Sequence, residues 1–236
     1  MKARKQKKPV MEKYVEGSRR LYLLFGGISA EVGMLPFEFY KSSRIINENK
    51  IFFRDYSQAW YQNGLPGVGD DVYEMAEFIT RKIEKIQPRE IYFVGNSMGG
   101  FAAILFAALV GRGVAIAFAP QTFISPLLKM RHLDFRWLRQ IVETYRKTMF
   151  KPHVWNLSRL VGSSTAPFRA DIYVSRRHRL DFIHADRLRG QKSVNIYEFD
   201  VGGHDLVKFL RDDGSLPDIL LGRYEHTSHP APPLPA

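Results

Sequence analysis

The chain has 236 residues, 45% of them hydrophobic and 13% aromatic, which supports one packed domain rather than a disordered chain. Its formal net charge is +11, but Lys2, Arg4, Lys5, Lys7 and Lys8 crowd the first eight residues, so much of the excess reads as a basic N-terminal tail at residues 1–18. There is no cysteine, which excludes disulfides, thiolate catalysis and cysteine-based zinc sites.

The tail lacks the apolar stretch of a secretory signal, and the longest apolar run, residues 101–110, is too short to span a bilayer. A soluble, cytoplasmic protein with no transmembrane segment is expected. Short apolar segments at residues 20–25, 50–54, 90–94, 114–119, 171–175 and 194–199 alternate with longer helical stretches. That alternation predicts an α/β fold with a mostly parallel central sheet flanked by helices. After the first predicted strand comes Phe25-Gly26-Gly27-Ile28-Ser29, a loop with a glycine pair. After the second, Asp70 and Asp71 follow a turn-rich stretch and can cap a helix running to about Ile86, whose apolar residues Val72, Met75, Ala76, Ile79, Ile83 and Ile86 share one face. Gln87-Pro88 ends it.

The most informative stretch follows the third predicted strand. Gly95-Asn96-Ser97-Met98-Gly99-Gly100 joins a buried strand to an Ala-rich helix with no breaker before Gly111. Gly-x-Ser-x-Gly in this setting reads as a nucleophile elbow: the serine takes a strained backbone conformation that lifts its hydroxyl above the sheet, and small neighbours let strand and helix approach closely. The N–H of Met98 then points at the same spot from a helix N-terminus. Residues 121–167 are long for a connection between strands and read as a small helical cap. Its aromatics Phe123, Phe135, Trp137, Tyr145, Phe150 and Trp155 either line a substrate pocket or pack the cap onto the sheet, with Arg131, Arg136, Arg139, Arg146 and Lys147 nearby.

With these residues in place the chain resembles the α/β-hydrolase superfamily, whose members carry this elbow and a serine, acid, histidine order along the sequence. The resemblance spans roughly residues 20–210 of a domain at residues 19–225, followed by a Pro-rich tail at residues 226–236. It implies a histidine in the loop after the last strand, where Val201-Gly202-Gly203-His204-Asp205 places His204 as general base. It implies an acid after the penultimate strand. In many relatives that carboxylate falls about where His178 stands, and Asp181 is the first one available here, three positions on, with Asp134 and Asp205 as fallbacks. The glycine-pair loop implies a second oxyanion donor, the N–H of Gly27 or Ile28, with phenylalanine in place of the usual histidine. His184 reads as packing or capping a helix.

The reading is therefore a serine hydrolase for a carboxylic ester or thioester, with Ser97, His204 and Asp181 as triad and Met98 with Gly27 or Ile28 as oxyanion hole. The compact cap and its arginines favour a small or anionic acyl substrate. Acyl transfer on the same triad, or an inactive hydrolase-fold binding module, are the alternatives. No cofactor, metal or nucleic-acid partner is expected: residues 64–69 lack a Lys-Ser/Thr pair, no His and carboxylate cluster has metal-ligand spacing, and no nucleic-acid motif accompanies the basic residues.

Overall fold

The computed structural model describes residues 8–28, 38–150 and 153–224. Expectations for Ser29, the extreme N-terminal basic residues and the Pro-rich tail lie outside these. Seven strands form one sheet: β1 (Val10–Lys13), β2 (Arg20–Phe25), β3 (Asn49–Phe53), β4 (Glu90–Asn96), β5 (Gly113–Phe118), β6 (Phe168–Ser175) and β7 (Val194–Phe199). Their order is β1-β3-β2-β4-β5-β6-β7. All neighbours run parallel except β1, which pairs antiparallel with β3. β1 falls inside residues 1–18, where the sequence suggested only a basic tail. Its four residues are too short and too charged to announce a strand, yet Val10 packs toward one face and Met11 toward the other. Lys82 holds Glu12 at 2.7 Å, and this charged edge discourages further strand pairing.

Burial alternates with period two along the inner strands. Leu21, Leu23 and Phe25 join one apolar layer while Tyr22 and Leu24 join the other, so the sheet is covered on both faces. On the first face lie α1 (Val72–Ile86) and α2 (Met98–Val110). Asp71 caps α1 as expected, its carboxylate accepting from the N–H groups of Tyr73 and Glu74. α2 is apolar on all sides and buried from Met98 to Ala108, which explains a sequence with no amphipathic stripe.

Between β5 and β6 run α3 (Pro126–Arg131), α4 (Leu138–Thr148) and α5 (Leu157–Ser163). α5 inserts Leu157 and Val161 into the core beside α2. Beyond β6 come α6 (Arg179–Asp186), then, after β7, α7 (Leu206–Asp212) and α8 (Ser215–Leu220), which cover the second face with Leu206, Leu210, Leu216 and Ile219. No described helix is long and apolar enough to cross a membrane. The parallel strands end on one side of the sheet, and Ser97, His178 and the loop carrying His204 all follow strand ends there.

Candidate active site

Ser97 stands between β4 and α2 with φ 54° and ψ −114°, a conformation that costs a non-glycine residue about 1–3 kcal/mol. The surrounding packing holds it there. Its N–H donates to the Phe118 carbonyl at 2.9 Å, and its own carbonyl accepts from Phe101 at 3.0 Å and Gln121 at 3.3 Å. The glycines are required by distance: a Cβ at Gly95 would lie 2.0 Å from the Gly99 carbonyl oxygen, and one at Gly99 would lie 2.3 Å from that of Phe25. Among the described residues the Ser97 hydroxyl and the N–H of Met98 find no hydrogen-bond partner.

His204 lies in the loop between β7 and α7, where Gly202 turns the chain at φ 68°. Its Nδ1 is 2.6 Å from Oδ2 of Asp181, a carboxylate with no solvent exposure. Burial raises the Asp181 pKa, but the hydrogen bonds and charges of His204 and Arg136 outweigh it and hold the carboxyl below its ordinary value. An ionised Asp181 can only accept, so Nδ1 of His204 carries the proton and the Nε2 lone pair of the neutral ring is left to take another.

The three-position offset of Asp181 has a simple cause. His178 is the N-cap of α6 and Asp181 is its third helical residue, so the displacement is one helical turn and returns the side chain to the same end of the helix. The His178 ring caps the Asp181 N–H at 3.3 Å and lies 3.0 Å from Oδ2. The helix N-terminus adds a favourable field for the anion. A sequence rule written for fixed positions after the strand does not see this turn.

Three residues of the cap segment join the site unannounced by any motif. Arg136, between α3 and α4, donates from Nη1 to Asp181 Oδ1 at 2.7 Å and from Nε to Asp134 at 2.9 Å. Asp134 is fully buried and also receives Lys129 at 2.9 Å and His184 Nε2 at 2.9 Å. It makes no contact with His204 among the described bonds. Buried His184 accepts the Thr122 N–H on Nδ1 at 3.0 Å, which fixes its Nε2–H tautomer toward Asp134, and it stacks on Phe123. Burial pushes its pKa down to about 4, so it stays neutral.

The oxyanion loop departs from expectation at Gly27. Its N–H donates to Oε2 of Glu38 at 2.5 Å, and the other oxygen of Glu38 accepts from the Asn96 amide at 3.3 Å. Burial raises the Glu38 pKa against these bonds and the nearby charges of Arg54 and His204. Gly27 is thus already satisfied by a side chain eleven residues on, which no local sequence signal indicates. The Ile28 N–H has no partner among the described residues. Of the cap aromatics, Phe123 is buried, Trp137 and Trp155 pack against the core, and Phe135, Tyr145 and Phe150 face solvent. Trp155 lines a cleft of about 640 Å³ with Leu128, His153 and Arg159, which does not include Ser97, Asp181 or His204.

His178, Asp181 and His204 bring three possible metal-ligand atoms within 4.8 Å of one another, a convergence that chain spacing hides. The 2.6 and 3.0 Å separations from the two ring nitrogens to one carboxylate oxygen are tighter than the roughly 3.3 Å between ligands of a tetrahedral zinc. The Arg136 guanidinium on the same carboxylate further opposes a cation.

A strained serine at a strand-to-helix turn, a buried Asp–His pair from the loops after the last two strands and a mostly parallel sheet can be compared with solved structures. The chain superposes on a capsule O-acetyltransferase of Neisseria meningitidis serogroup A with TM-score 0.60 at 14% identity, covering 89% of this chain and 90% of that one. This chain has the α/β-hydrolase fold. The same fold is shared with MenH from S. aureus, at TM-score 0.57 and 14% identity over 91% of this chain and 97% of that one. Carboxylesterase CesB from Bacillus subtilis matches at TM-score 0.51 and 15% identity, over 90% of this chain and 87% of that one. No family model matches the sequence, and no curated protein matches it. In this chain with the α/β-hydrolase fold the likeness lies in the backbone, and the site must be read from its own residues.

Proposed function

We propose that the chain is a serine-dependent acyl enzyme acting on a carboxylic ester or thioester, with Ser97 as nucleophile, His204 as general base and Asp181 as the acid that orients it. The observation that carries this reading is the 2.6 Å bond between His204 Nδ1 and buried Asp181, which leaves Nε2 as the only ring atom able to accept a proton. In the proposed cycle Ser97 Oγ attacks the acyl carbon as its proton passes to Nε2. The C=O pair moves onto oxygen, and the N–H groups of Met98 and Ile28 receive that charge. Collapse expels the alcohol or thiol, which leaves with the proton from Nε2, and the acyl group stays on Ser97. Water then attacks by the same route in reverse roles and releases the acid.

The likeness to a capsule O-acetyltransferase, one structure of which is a complex with CoA, favours a second outcome for the same intermediate. There an acceptor hydroxyl, not water, gives its proton to His204 and takes the acyl group. Incubation of the purified chain with short-chain acyl thioesters and p-nitrophenyl esters, with and without polyol acceptors, tests both. Ester cleavage lost in Ser97→Ala supports the acyl-enzyme, and an acylated acceptor identifies transfer. Full activity in Ser97→Ala contradicts the proposal.

A further inference from the structure

Helix α4 is amphipathic the wrong way round for a helix of a finished surface. The face it turns to the protein carries Ile141, Thr144 and Thr148, and both threonine hydroxyls are satisfied within the helix by the carbonyls of Gln140 and Thr144. The face it turns outward carries Leu138, Val142, Tyr145 and Met149, at spacings of four, four-minus-one and four residues that form one stripe, each at least 40% exposed. Phe150 continues it and is 93% exposed. Nine of the fourteen large exposed hydrophobic residues among those described lie between residues 127 and 150, so the apolar exposure is concentrated in this segment and is not scattered as on an ordinary surface.

The charges around the stripe say what would cover it. At 3.6 residues per turn, Arg139 and Arg146 fall about 70–90° around α4 from the stripe, on the side away from the buried face, whereas Lys147 falls on the side opposite the stripe. Arg139 meets Glu143 at 3.3 Å, whereas Arg146 and Lys147 have no ion-pair partner among the described residues. A second copy would bring the same arginines toward one another on a chain of net charge +11, which opposes self-association. A stripe of large apolar side chains flanked by arginines long enough to reach headgroup level is the pattern of a helix lying in a bilayer interface.

We propose that the outer face of α4, continued by Phe150, docks the protein on the surface of an anionic lipid membrane, the stripe entering the acyl boundary and Arg139 and Arg146 meeting the headgroups. The proposal stands apart from the acyl chemistry, since none of these residues belongs to the triad.

Co-sedimentation of the full chain with vesicles of phosphatidylcholine alone and of an equal mixture with phosphatidylglycerol tests it. Binding to the anionic vesicles is expected, with at least about a tenfold loss in Leu138→Ser/Val142→Ser/Met149→Ser. A similar or smaller loss is expected in Arg139→Gln/Arg146→Gln, which high salt reproduces in the wild type. Phe150→Ser, at a position with almost no contacts to lose, repeats the apolar test without risk to folding. Absence of binding to anionic vesicles overturns the proposal. So does binding that the apolar variants leave unchanged, which would assign it to the N-terminal basic residues. A wild-type dimer in analytical ultracentrifugation that the triple variant abolishes would also overturn it, by showing that a second copy covers the face.

Discussion

Single residues carry the chemistry, and two of them test how the site is tuned. Asp181→Asn places an amide donor against His204 Nδ1, favours the wrong tautomer and is expected to lower kcat by roughly 10⁴-fold with little change in fold. Glu38 holds the Gly27 N–H that the glycine-pair loop would otherwise offer to an oxyanion. Glu38→Ala frees that donor and is expected to raise kcat/KM for a small ester roughly tenfold or more, since one such donor is worth two to three orders of magnitude at full strength; a fall would mean that the carboxylate itself takes part in turnover. The proposed triad of Ser97, Asp181 and His204 and the proposed helix-start donor Met98 were singled out in the sequence because the chemistry needs a glycine-flanked serine, a loop histidine and a carboxylate in a fixed chain order. Glu38 was not readable, because it meets Gly27 only through the folding of the intervening loop.

Elements decide how these residues are held. Arg136 ties the segment between α3 and α4 to α6 by bridging Asp134 and Asp181, both almost fully buried. Arg136→Met strips a charged partner from two buried carboxylates that keep Lys129, His184 and His204, and is expected to cost about 2–3 kcal/mol, seen as a lower unfolding midpoint in urea that Arg136→Lys partly restores. The other strands were legible from short apolar runs between helical stretches, and α1 from its period-3.6 apolar face and the Asp71 cap. β1 was not, being a four-residue edge strand whose only apolar pair faces opposite sides of the sheet. The three-position offset of Asp181 from His178 was visible in the sequence, but only the helix geometry and the bond to His204 show where that offset places the carboxylate. The outward stripe of α4 shows the same limit, since periodicity finds an apolar face without saying whether the core or something outside the molecule receives it.

At the scale of the whole molecule, the buried network of Lys129, Asp134, Arg136, Asp181 and His184 couples folding to pH. His184 has its pKa depressed from 6.5 to about 4, so the unfolded chain binds more protons than the folded one between those values. Its contribution is complete above pH 6.5 and is lost as the pH falls toward 4, on the order of 3 kcal/mol in all. The lowered carboxyls of Asp134 and Asp181 act in a more acidic window, with stability present above the ordinary carboxylate range and lost below it. Melting temperatures of the wild type should therefore drop between pH 6.5 and 4, and His184→Gln should flatten that slope. The central claim is that Ser97 is a nucleophile activated through His204 by Asp181. The rate of covalent labelling by a fluorophosphonate, with the adduct mapped by peptide mass spectrometry, tests it most directly. The account predicts a single adduct on Ser97, none in Ser97→Ala, and labelling slowed by roughly a thousandfold or more in Asp181→Asn. No adduct on Ser97, or labelling of Asp181→Asn at the wild-type rate, would contradict it.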